Sequence, residues 1–158
     1  MRFRPYEIFA KFMSLGKSMR FHCHRAVMED GFSLNETDVL LSLSAAPENN
    51  TVKAISEAAG ISKGNISTAV ETLRKKGYVS VNVDAADRRL LTVELTEKAA
   101  PVLEKLAAAE EEYFSGFMRS IDRDHISLVN RVFSSIQQFS PAAFLKKLSG
   151  KDNDNEKN

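Results

Sequence analysis

The sequence predicts a mainly α-helical chain with one small β-hairpin, and three observations support this fold class. Apolar residues recur every three or four positions over most of the chain, which is the period of an amphipathic helix. Residues 78–95 instead hold two short runs of β-prone residues around a polar segment, which is typical of a hairpin. The 158 residues are 43% hydrophobic and 27% charged, which suffices for the core of one globular domain.

Two helices are predicted before residue 47. The first covers residues 6–28, where a broad apolar stripe runs along one face, and it ends near Gly31. The second follows Asn35, which we take as its N-cap because asparagine is favoured there. Pro47 ends the second helix because proline cannot continue it.

Two shorter helices follow in close succession. Thr51 is predicted to cap the third helix, which stops at Gly60 because glycine readily adopts the left-handed conformation of a helix end. Ser62 restarts the chain as the cap of a fourth helix, which ends at Gly77.

Beyond the hairpin, two more helices are expected. Thr96 is predicted to cap a long fifth helix and Asp122 a sixth, which Pro141 ends. Residues 150–158 contain no apolar residue and are expected to be disordered.

The order of the central elements indicates a winged helix-turn-helix. The third helix is about two turns long and meets the fourth through residues 59–62, a short turn that contains glycine. In such a unit the second helix, called the recognition helix, enters the major groove of DNA with its N-terminal residues. The hairpin that follows would be the wing.

The fourth helix has the side chains that this task requires. Its apolar residues recur on one face, as Ile66, Val70 and Leu73. Asparagine can bind adenine bidentately, and serine and threonine can contact bases or phosphates. The alternative is an ordinary solvated helix face. The predicted DNA-binding residues, including two arginines that could enter a minor groove from the wing, are Ser62, Lys63, Gly64, Asn65, Ser67, Thr68, Thr72, Arg88 and Arg89.

The net charge of the chain does not point to DNA, but the distribution of charged residues along the sequence does. The net charge of the chain is +1, but residues 60–91 hold six basic and three acidic groups, whereas residues 92–158 hold nine basic and eleven acidic. The basic part of the chain therefore coincides with the predicted helix-turn-helix and wing.

Several segments of the sequence are similar to the MarR family of winged helix-turn-helix transcriptional regulators. The similarity runs from residue 34 to residue 96 almost throughout and extends in outline over residues 5–140. The segments that carry it are residues 34–36, 61–67, 73–79, 84–89 and 93–98. Family members often carry arginine at the positions of Ala86 and Thr68, so the resemblance leaves operator sequence and affinity open.

The resemblance implies a homodimer that binds a pseudo-palindromic operator in the cytoplasm. The single domain would cover residues 1–149, with a DNA-binding core at 34–96 and long dimerisation helices at 5–30 and 97–140. The expected partners are double-stranded DNA, a second copy of the chain and a small aromatic effector. The residues proposed for the dimer interface are Phe3, Ile8, Phe9, Phe12, Phe133, Ile136 and Phe139.

Three kinds of sensor are typical of that family. A ligand pocket could be lined by Phe12, Met13, Met28 and Phe32, although core packing explains the same residues. Cys23 could sense oxidants or be an inert core residue. The adjacent His22 and His24 do not favour a metal site, because residues two apart on a helix point in opposite directions.

The remaining features narrow the function. No glycine-rich phosphate loop, catalytic pair or cofactor motif is present, so the sequence predicts no enzyme. No apolar stretch is long enough to span a membrane, no signal peptide is recognised, and the single cysteine excludes an internal disulfide; together these favour the cytoplasm. The alternative function is a winged-helix module that binds proteins rather than DNA.

Overall fold

The structure is a computed structural model that describes residues 4–83 and 91–138. The chain forms two units, Met1–Ser115 and Gly116–Asn158. The predicted fold class is confirmed, with helices α1 (Pro5–Arg25), α2 (Leu34–Ala45), α3 (Val52–Ala59), α4 (Lys63–Lys76), α5 (Ala100–Arg119) and α6 (Ile126–Gln138) and strands β1 (Val79–Val83) and β2 (Leu91–Leu95). Short 3₁₀ turns at Met28–Asp30, Glu97–Ala99 and Arg123–His125 precede α2, α5 and α6.

Two of the predicted N-caps are confirmed. The Thr51 hydroxyl accepts a hydrogen bond from the backbone N–H of Ala54 at 3.1 Å. The Ser62 hydroxyl accepts one from the backbone N–H of Asn65 at 3.4 Å. Both contacts span three residues, so the local sequence is enough to determine them.

The predicted cap of α2 is wrong: Ser33, not Asn35, holds that position. The Ser33 hydroxyl accepts from the backbone N–H of Glu36 at 3.3 Å, and the Glu36 carboxylate accepts from the Ser33 backbone N–H at 2.6 Å. This reciprocal pair is a capping box, and it satisfies two backbone donors where asparagine would satisfy one. Asn35 lies inside the first turn of the helix instead.

Thr96 does not cap α5 as predicted. The 3₁₀ turn Glu97–Ala99 intervenes, and Thr96, which precedes it, makes no side-chain cap. The Thr96 hydroxyl instead donates to the backbone carbonyl of Gly77 at 2.7 Å. Lys98 donates to the carbonyl of Lys76 at 2.6 Å. Both side chains therefore satisfy carbonyls at the end of α4, so the start of the α5 segment is joined to the recognition helix.

The two strands form an antiparallel pair in the register Val79 with Leu95 and Val83 with Leu91. The middle of β2 is attached to the loop before α3, because the Val93 N–H donates to the carbonyl of Asn50 at 2.8 Å. The hairpin therefore projects from the helical core in a defined direction.

The core of the first unit lies between α1, α2, α3, α4, the first part of α5 and the inner face of the hairpin. Each large apolar side chain removed from water contributes about 1.5–3 kcal/mol, so this cluster holds α3 and α4 at a fixed angle. The largest of its fully buried side chains are Leu40, Leu43, Ile55, Ile66, Leu73 and Leu106.

The second unit contains the end of α5 and α6. Asp122, predicted to cap α6, instead caps the 3₁₀ turn Arg123–His125 that leads into α6. Its carboxylate accepts a hydrogen bond from the Asp124 N–H at 3.4 Å. Leu128 and Val132 on α6 are exposed, by 48% and 43%.

Candidate nucleic-acid interface

The turn between α3 and α4 is held by a small set of local hydrogen bonds. Gly60 ends α3 with φ 65°, a left-handed conformation that favours glycine. The Ser56 hydroxyl donates to the carbonyl of Ile61 at 2.6 Å, and the Ile61 N–H donates to the carbonyl of Ser56 at 3.1 Å. These contacts determine the direction in which α4 leaves the turn.

The inner face of α4 is apolar and buried. Ile66 and Leu73 are fully buried and Val70 is 5% exposed, as their spacing predicted. Helix α4 packs against α2 and α3 through this face. The opposite face, which begins at the capped N-terminus, is therefore the side presented to a ligand.

The first turn of α4 presents polar groups that are free to bind a partner. Lys63, Asn65 and Ser67 are exposed, and within residues 4–83 and 91–138 their side chains make no hydrogen bond or ion pair. Asparagine supplies a donor and an acceptor on one amide, which is the pattern that recognises adenine in the major groove.

Gly64 lies on the same exposed surface. Apart from the two neighbouring residues and the backbone of its own helix, a Cβ at this position would meet no heavy atom of the described chain within 4 Å. Glycine in a helix costs about 1 kcal/mol relative to alanine, and packing within the protein does not require it here. The missing side chain leaves room for another molecule to come close to the backbone.

Thr68 and Thr72 lie further along the same helix, and both hydroxyls are already bonded. The Thr68 hydroxyl donates to the carbonyl of Gly64 at 3.0 Å, and the Thr72 hydroxyl donates to the carbonyl of Thr68 at 3.0 Å. Both residues, with Asn65, line a groove between α4 and the start of α2.

The groove contains a residue that the sequence did not single out for this role. Asn35, mistaken for a helix cap, lines the groove from the α2 side, next to Ser33. The pattern Ser33-x-x-Glu36 is the signal that would have placed Ser33 at the cap and Asn35 in the first turn.

The cations near the end of α4 are partly neutralised. Arg74 donates two hydrogen bonds to Glu71, at 2.8 and 2.9 Å, and Lys75 lies 3.6 Å from the same carboxylate. The hydrogen bond from Arg74 lowers the pKa of Glu71 to about 2, so Glu71 is ionised at neutral pH. At the N-terminal end of α4, by contrast, Lys63 has no such partner among the described residues.

Glu36 connects the start of α2 to the end of the recognition helix. Its buried carboxylate lies 2.8 Å from Lys76 Nζ, and Lys76 also donates to the carbonyl of Gly31 at 2.9 Å. Burial alone would raise the pKa of Glu36, but hydrogen bonds from Lys76 and Ser33 outweigh it and lower the pKa below its ordinary value. The position of α4 on α2 therefore depends on this ionised group.

A second ion pair fastens α1 to α2. Arg20 Nε donates to both carboxylate oxygens of Asp38, each at 2.7 Å, and Arg20 also reaches the Asn35 amide oxygen at 3.4 Å. Asp38 is buried, with 7% of its side chain exposed. The first helix is thereby joined to the element that carries the recognition helix.

The residues predicted to line a ligand pocket lie in different surroundings in the described chain, and the pocket itself stays a prediction. Phe12 and Met13 line a groove together with Ala59, the last residue of α3, and with Gly60, which follows it. Phe32 is 5% exposed and packs edge-on against Tyr78, with ring centroids 4.9 Å apart. Met28 is 52% exposed. The reason is helix length: Met13 precedes the last residue of α1, Arg25, by twelve residues, about 18 Å along the axis.

Cys23 is fully buried in the core. Burial, with a smaller contribution from the charge of Glu110, raises the pKa of the Cys23 thiol to about 11. Since the thiolate is the reactive form, both observations favour the alternative of an inert core cysteine over a redox sensor. Among the described residues, no three His, Cys, Asp or Glu side chains are placed to hold a metal ion.

Part of the predicted site lies outside the described residues. This applies to Arg88 and Arg89 at the wing tip and, in the proposed dimer interface, to Phe3 and Phe139. The side chains of Ile8, Phe133 and Ile136 are also outside the description. Of that interface set, Phe9 and Phe12 are described, and they are 59% and 48% exposed.

A short helix, a fixed turn, a second helix with a free polar N-terminus and a two-stranded hairpin define a winged helix-turn-helix protein. Residues 30–90, which include all of these elements except the second strand, match the MarR family. Over this central part of its length the chain is therefore similar to the MarR family. Within the described residues, none of the helices is both long and apolar enough to cross a membrane.

Known proteins agree with this assignment. The uncharacterized HTH-type transcriptional regulator YwaE of Bacillus subtilis is 27% identical over 88 residues, which are 53% of this chain and 52% of YwaE; the match thus spans about half of that relative. A MarR transcriptional regulator from Methanosarcina mazei has the same fold, with a TM-score of 0.64, 21% identity, and coverage of 84% of this chain and 96% of that one. A mutant of S. aureus MepR, bound to an oligodeoxyribonucleotide, has a TM-score of 0.53, 16% identity, and coverage of 87% and 98%.

Proposed function

We propose that the protein is a sequence-specific DNA-binding transcriptional regulator that acts as a homodimer on a pseudo-palindromic operator. The observation that carries this proposal is the capped first turn of α4, whose Lys63, Asn65 and Ser67 side chains are exposed and without hydrogen bonds or ion pairs among the described residues. In this proposal the N-terminal part of α4 enters the major groove and the wing lies over the adjacent minor groove.

Three further observations support DNA as the partner. Gly64 is unfavourable for helix stability, and packing against the rest of the described chain does not require it. A residue without a side chain would let a nucleic-acid backbone approach closely. The helix N-terminus and Lys63 both favour phosphate. A solved structure of the same fold, the S. aureus MepR mutant, is bound to an oligodeoxyribonucleotide.

Dimerisation is supported by exposed apolar side chains on α1. Tyr6, Phe9, Phe12 and Met13 are exposed by 77%, 59%, 48% and 61% over little more than two turns of helix. Contiguous apolar patches of this kind mark interaction sites. We infer that a second copy covers this surface, because an operator with two half-sites requires two copies of α4.

Release by a small aromatic effector is a further part of the proposal. The groove lined by Phe12, Met13 and Gly60 suits such a ligand, since its walls come from α1 and from the turn that aims α4. A ligand there would act on the angle of the recognition helix.

Selection of bound duplexes from a random DNA pool tests the function. We expect a symmetric consensus, binding that weakens steeply with salt through counterion release, and a dimer in sedimentation equilibrium. A protein-binding winged helix would yield no consensus and a gentle salt dependence. A monomer at the concentration that binds DNA would contradict the two-fold arrangement.

Replacement of Asn65 by alanine should relax sequence preference at one base position of each half-site. The expected cost on the preferred duplex is on the order of 1–3 kcal/mol, because a bidentate amide contact to a base is lost. A gel shift against duplexes that vary at each position measures the change. Lys53→Ala is the matched control: Lys53 is exposed on α3 and lies 3.9 Å from Glu57 on the same helix. Equal losses on all duplexes would argue against base recognition by Asn65.

Replacement of Arg88 or Arg89 by alanine should weaken binding without changing the preferred sequence. Each arginine at the wing tip is proposed to contact the minor groove and its phosphates, so the loss should be similar on all duplexes. The slope of log affinity against log salt should fall by about 1 for each phosphate contact removed. Unchanged affinity and slope in both variants would show that the wing tip does not touch the duplex.

A further inference from the structure

Two threonines on the exposed side of α4 have no hydroxyl hydrogen left for a ligand. A threonine hydroxyl carries one hydrogen. Thr68 donates its hydrogen to the carbonyl of Gly64 and Thr72 donates its own to the carbonyl of Thr68, both at 3.0 Å. With the oxygen turned back to the helix, each side chain offers a partner mainly its methyl group.

The two threonines lie on the surface that the proposed function turns toward DNA. Thr68, Thr72 and Asn65 line the same groove, and the described residues that form the opposite wall come from the start of α2. Thr68 and Thr72 are four residues apart on one helix face, about 6 Å along the axis. Base pairs are spaced by about 3.4 Å, so the two side chains reach positions at most about two steps apart.

The major-groove edges of the bases differ in what they offer to such a side chain. Guanine O6 and N7, adenine N7 and thymine O4 are acceptors, which need a donor that Thr68 and Thr72 no longer have. Thymine also carries a methyl group at C5, which is the apolar partner for a methyl. Each threonine oxygen could still accept from the amino group of adenine or cytosine, but its hydroxyl is turned toward a helix carbonyl. The side chain is then left with its methyl for a base, which favours apolar contact with thymine.

We propose that Thr68 and Thr72 determine specificity by contacting the C5 methyl groups of two thymines in each half-site. This inference rests on the proposed function, since it requires α4 to lie in the major groove. It adds that base recognition on α4 is divided: the free Asn65 amide forms hydrogen bonds, whereas the two threonines recognise methyl groups.

Thymine-to-uracil substitution tests the inference, because uracil differs from thymine only by the missing methyl group. The probe is the tightest duplex from the random-pool selection, with each thymine replaced in turn in one half-site. We expect two positions, at most about two steps apart, at which uracil weakens binding about fourfold, the effect of one buried methyl. The other positions should bind unchanged.

Conservative variants then assign each thymine to a residue. Thr68→Ser removes the methyl and keeps the hydroxyl, so it should bind the thymine duplex about fourfold more weakly and should no longer distinguish uracil at one position. Thr68→Val keeps a methyl and removes the hydroxyl, so it should retain the discrimination. Thr72→Ser should lose discrimination at the other thymine only, which makes the two serine variants matched controls for each other. Thermal unfolding checks that all three are folded.

The outcomes separate this inference from the proposed function. If a consensus duplex is bound and uracil has no effect at any position, the methyl contacts are wrong and DNA binding stands. If Thr68→Val and not Thr68→Ser loses discrimination, the hydroxyl reads the base and the inference is overturned. If no duplex is selected, both proposals fail together.

Discussion

Replacement of Glu36 by alanine is expected to lower the free energy of unfolding by about 2–3 kcal/mol and to weaken DNA binding as well. The carboxylate is 4% exposed and accepts from the Ser33 N–H at 2.6 Å and from Lys76 at 2.8 Å. Alanine removes half of the capping box and leaves both donors without this acceptor. Because Lys76 is the last residue of α4, the recognition helix also loses the ion pair that joins it to α2.

Urea unfolding measures this loss, with Glu57→Ala as the matched control. Glu57 is also a helical glutamate, but it is exposed and lies 3.9 Å from Lys53, so its replacement should cost less than about 0.5 kcal/mol. Similar losses of unfolding free energy in the two variants would mean that the buried contacts of Glu36 stabilise the fold no more than an exposed ion pair does.

The contribution of Glu36 should also depend on pH. Its pKa in the folded state is lowered from the ordinary 4.5, so the unfolded chain takes up the proton first as pH falls. The stabilisation is therefore present above about pH 4.5 and is lost as pH falls below that value through the folded-state pKa. Glu36→Gln should lack this part of the pH dependence, which a comparison of urea midpoints at pH 7 and pH 4 would reveal.

Replacement of Asp38 by alanine is expected to cost about 3 kcal/mol, because it leaves the guanidinium of Arg20 without its carboxylate in a largely buried setting. Arg20 Nε lies 2.7 Å from both oxygens of Asp38, and Arg20 is 29% exposed at its side chain. The variant should also loosen α1, which carries the surface proposed for dimerisation.

A double-mutant cycle isolates the pair from other effects of the substitutions. Unfolding of the Asp38→Ala, Arg20→Ala and double variants should give a coupling energy of more than about 1 kcal/mol. The exposed pair Lys53–Glu57, treated in the same way, should couple by less than about 0.5 kcal/mol. A coupling for Arg20 and Asp38 as small as that would mean that α1 is held by apolar packing alone.

Four of the five predicted caps show where sequence reasoning works, since Thr51 and Ser62 were predicted correctly and Asn35 and Thr96 were not. Thr51 and Ser62 each bind a backbone N–H three residues ahead, a contact that lies within the local sequence. At α2 a stronger local arrangement, the reciprocal pair of Ser33 and Glu36, prevailed over the nearby Asn35. Thr96 was misassigned because its partner, Gly77, is nineteen residues away in the chain.

In the candidate site, too, sequence reasoning predicted what depends on local spacing and missed what depends on packing between distant residues. Apolar spacing alone predicted that Ile66, Val70 and Leu73 face the core and that the polar residues of α4 face outward, since a helix fixes the direction of each side chain relative to its neighbours. It did not predict that Phe32 is buried on Tyr78 while Phe12 is exposed, because both residues are simply apolar in the sequence.

The sequence by itself determined the order of helices and strands, the turn at Gly60 and the outward face of the recognition helix, because each depends on residues at most a few positions apart. The tertiary structure decided what depends on distant residues and on rotamers. Lys76 meets Glu36 across forty positions of the chain, and Arg20 meets Asp38 across eighteen. The bonded hydroxyls of Thr68 and Thr72 were likewise visible only in the folded helix, where each can turn toward a carbonyl or toward solvent. Local spacing determines the elements, whereas contacts between residues distant in the sequence and side-chain rotation determine how the elements are joined and which groups they expose.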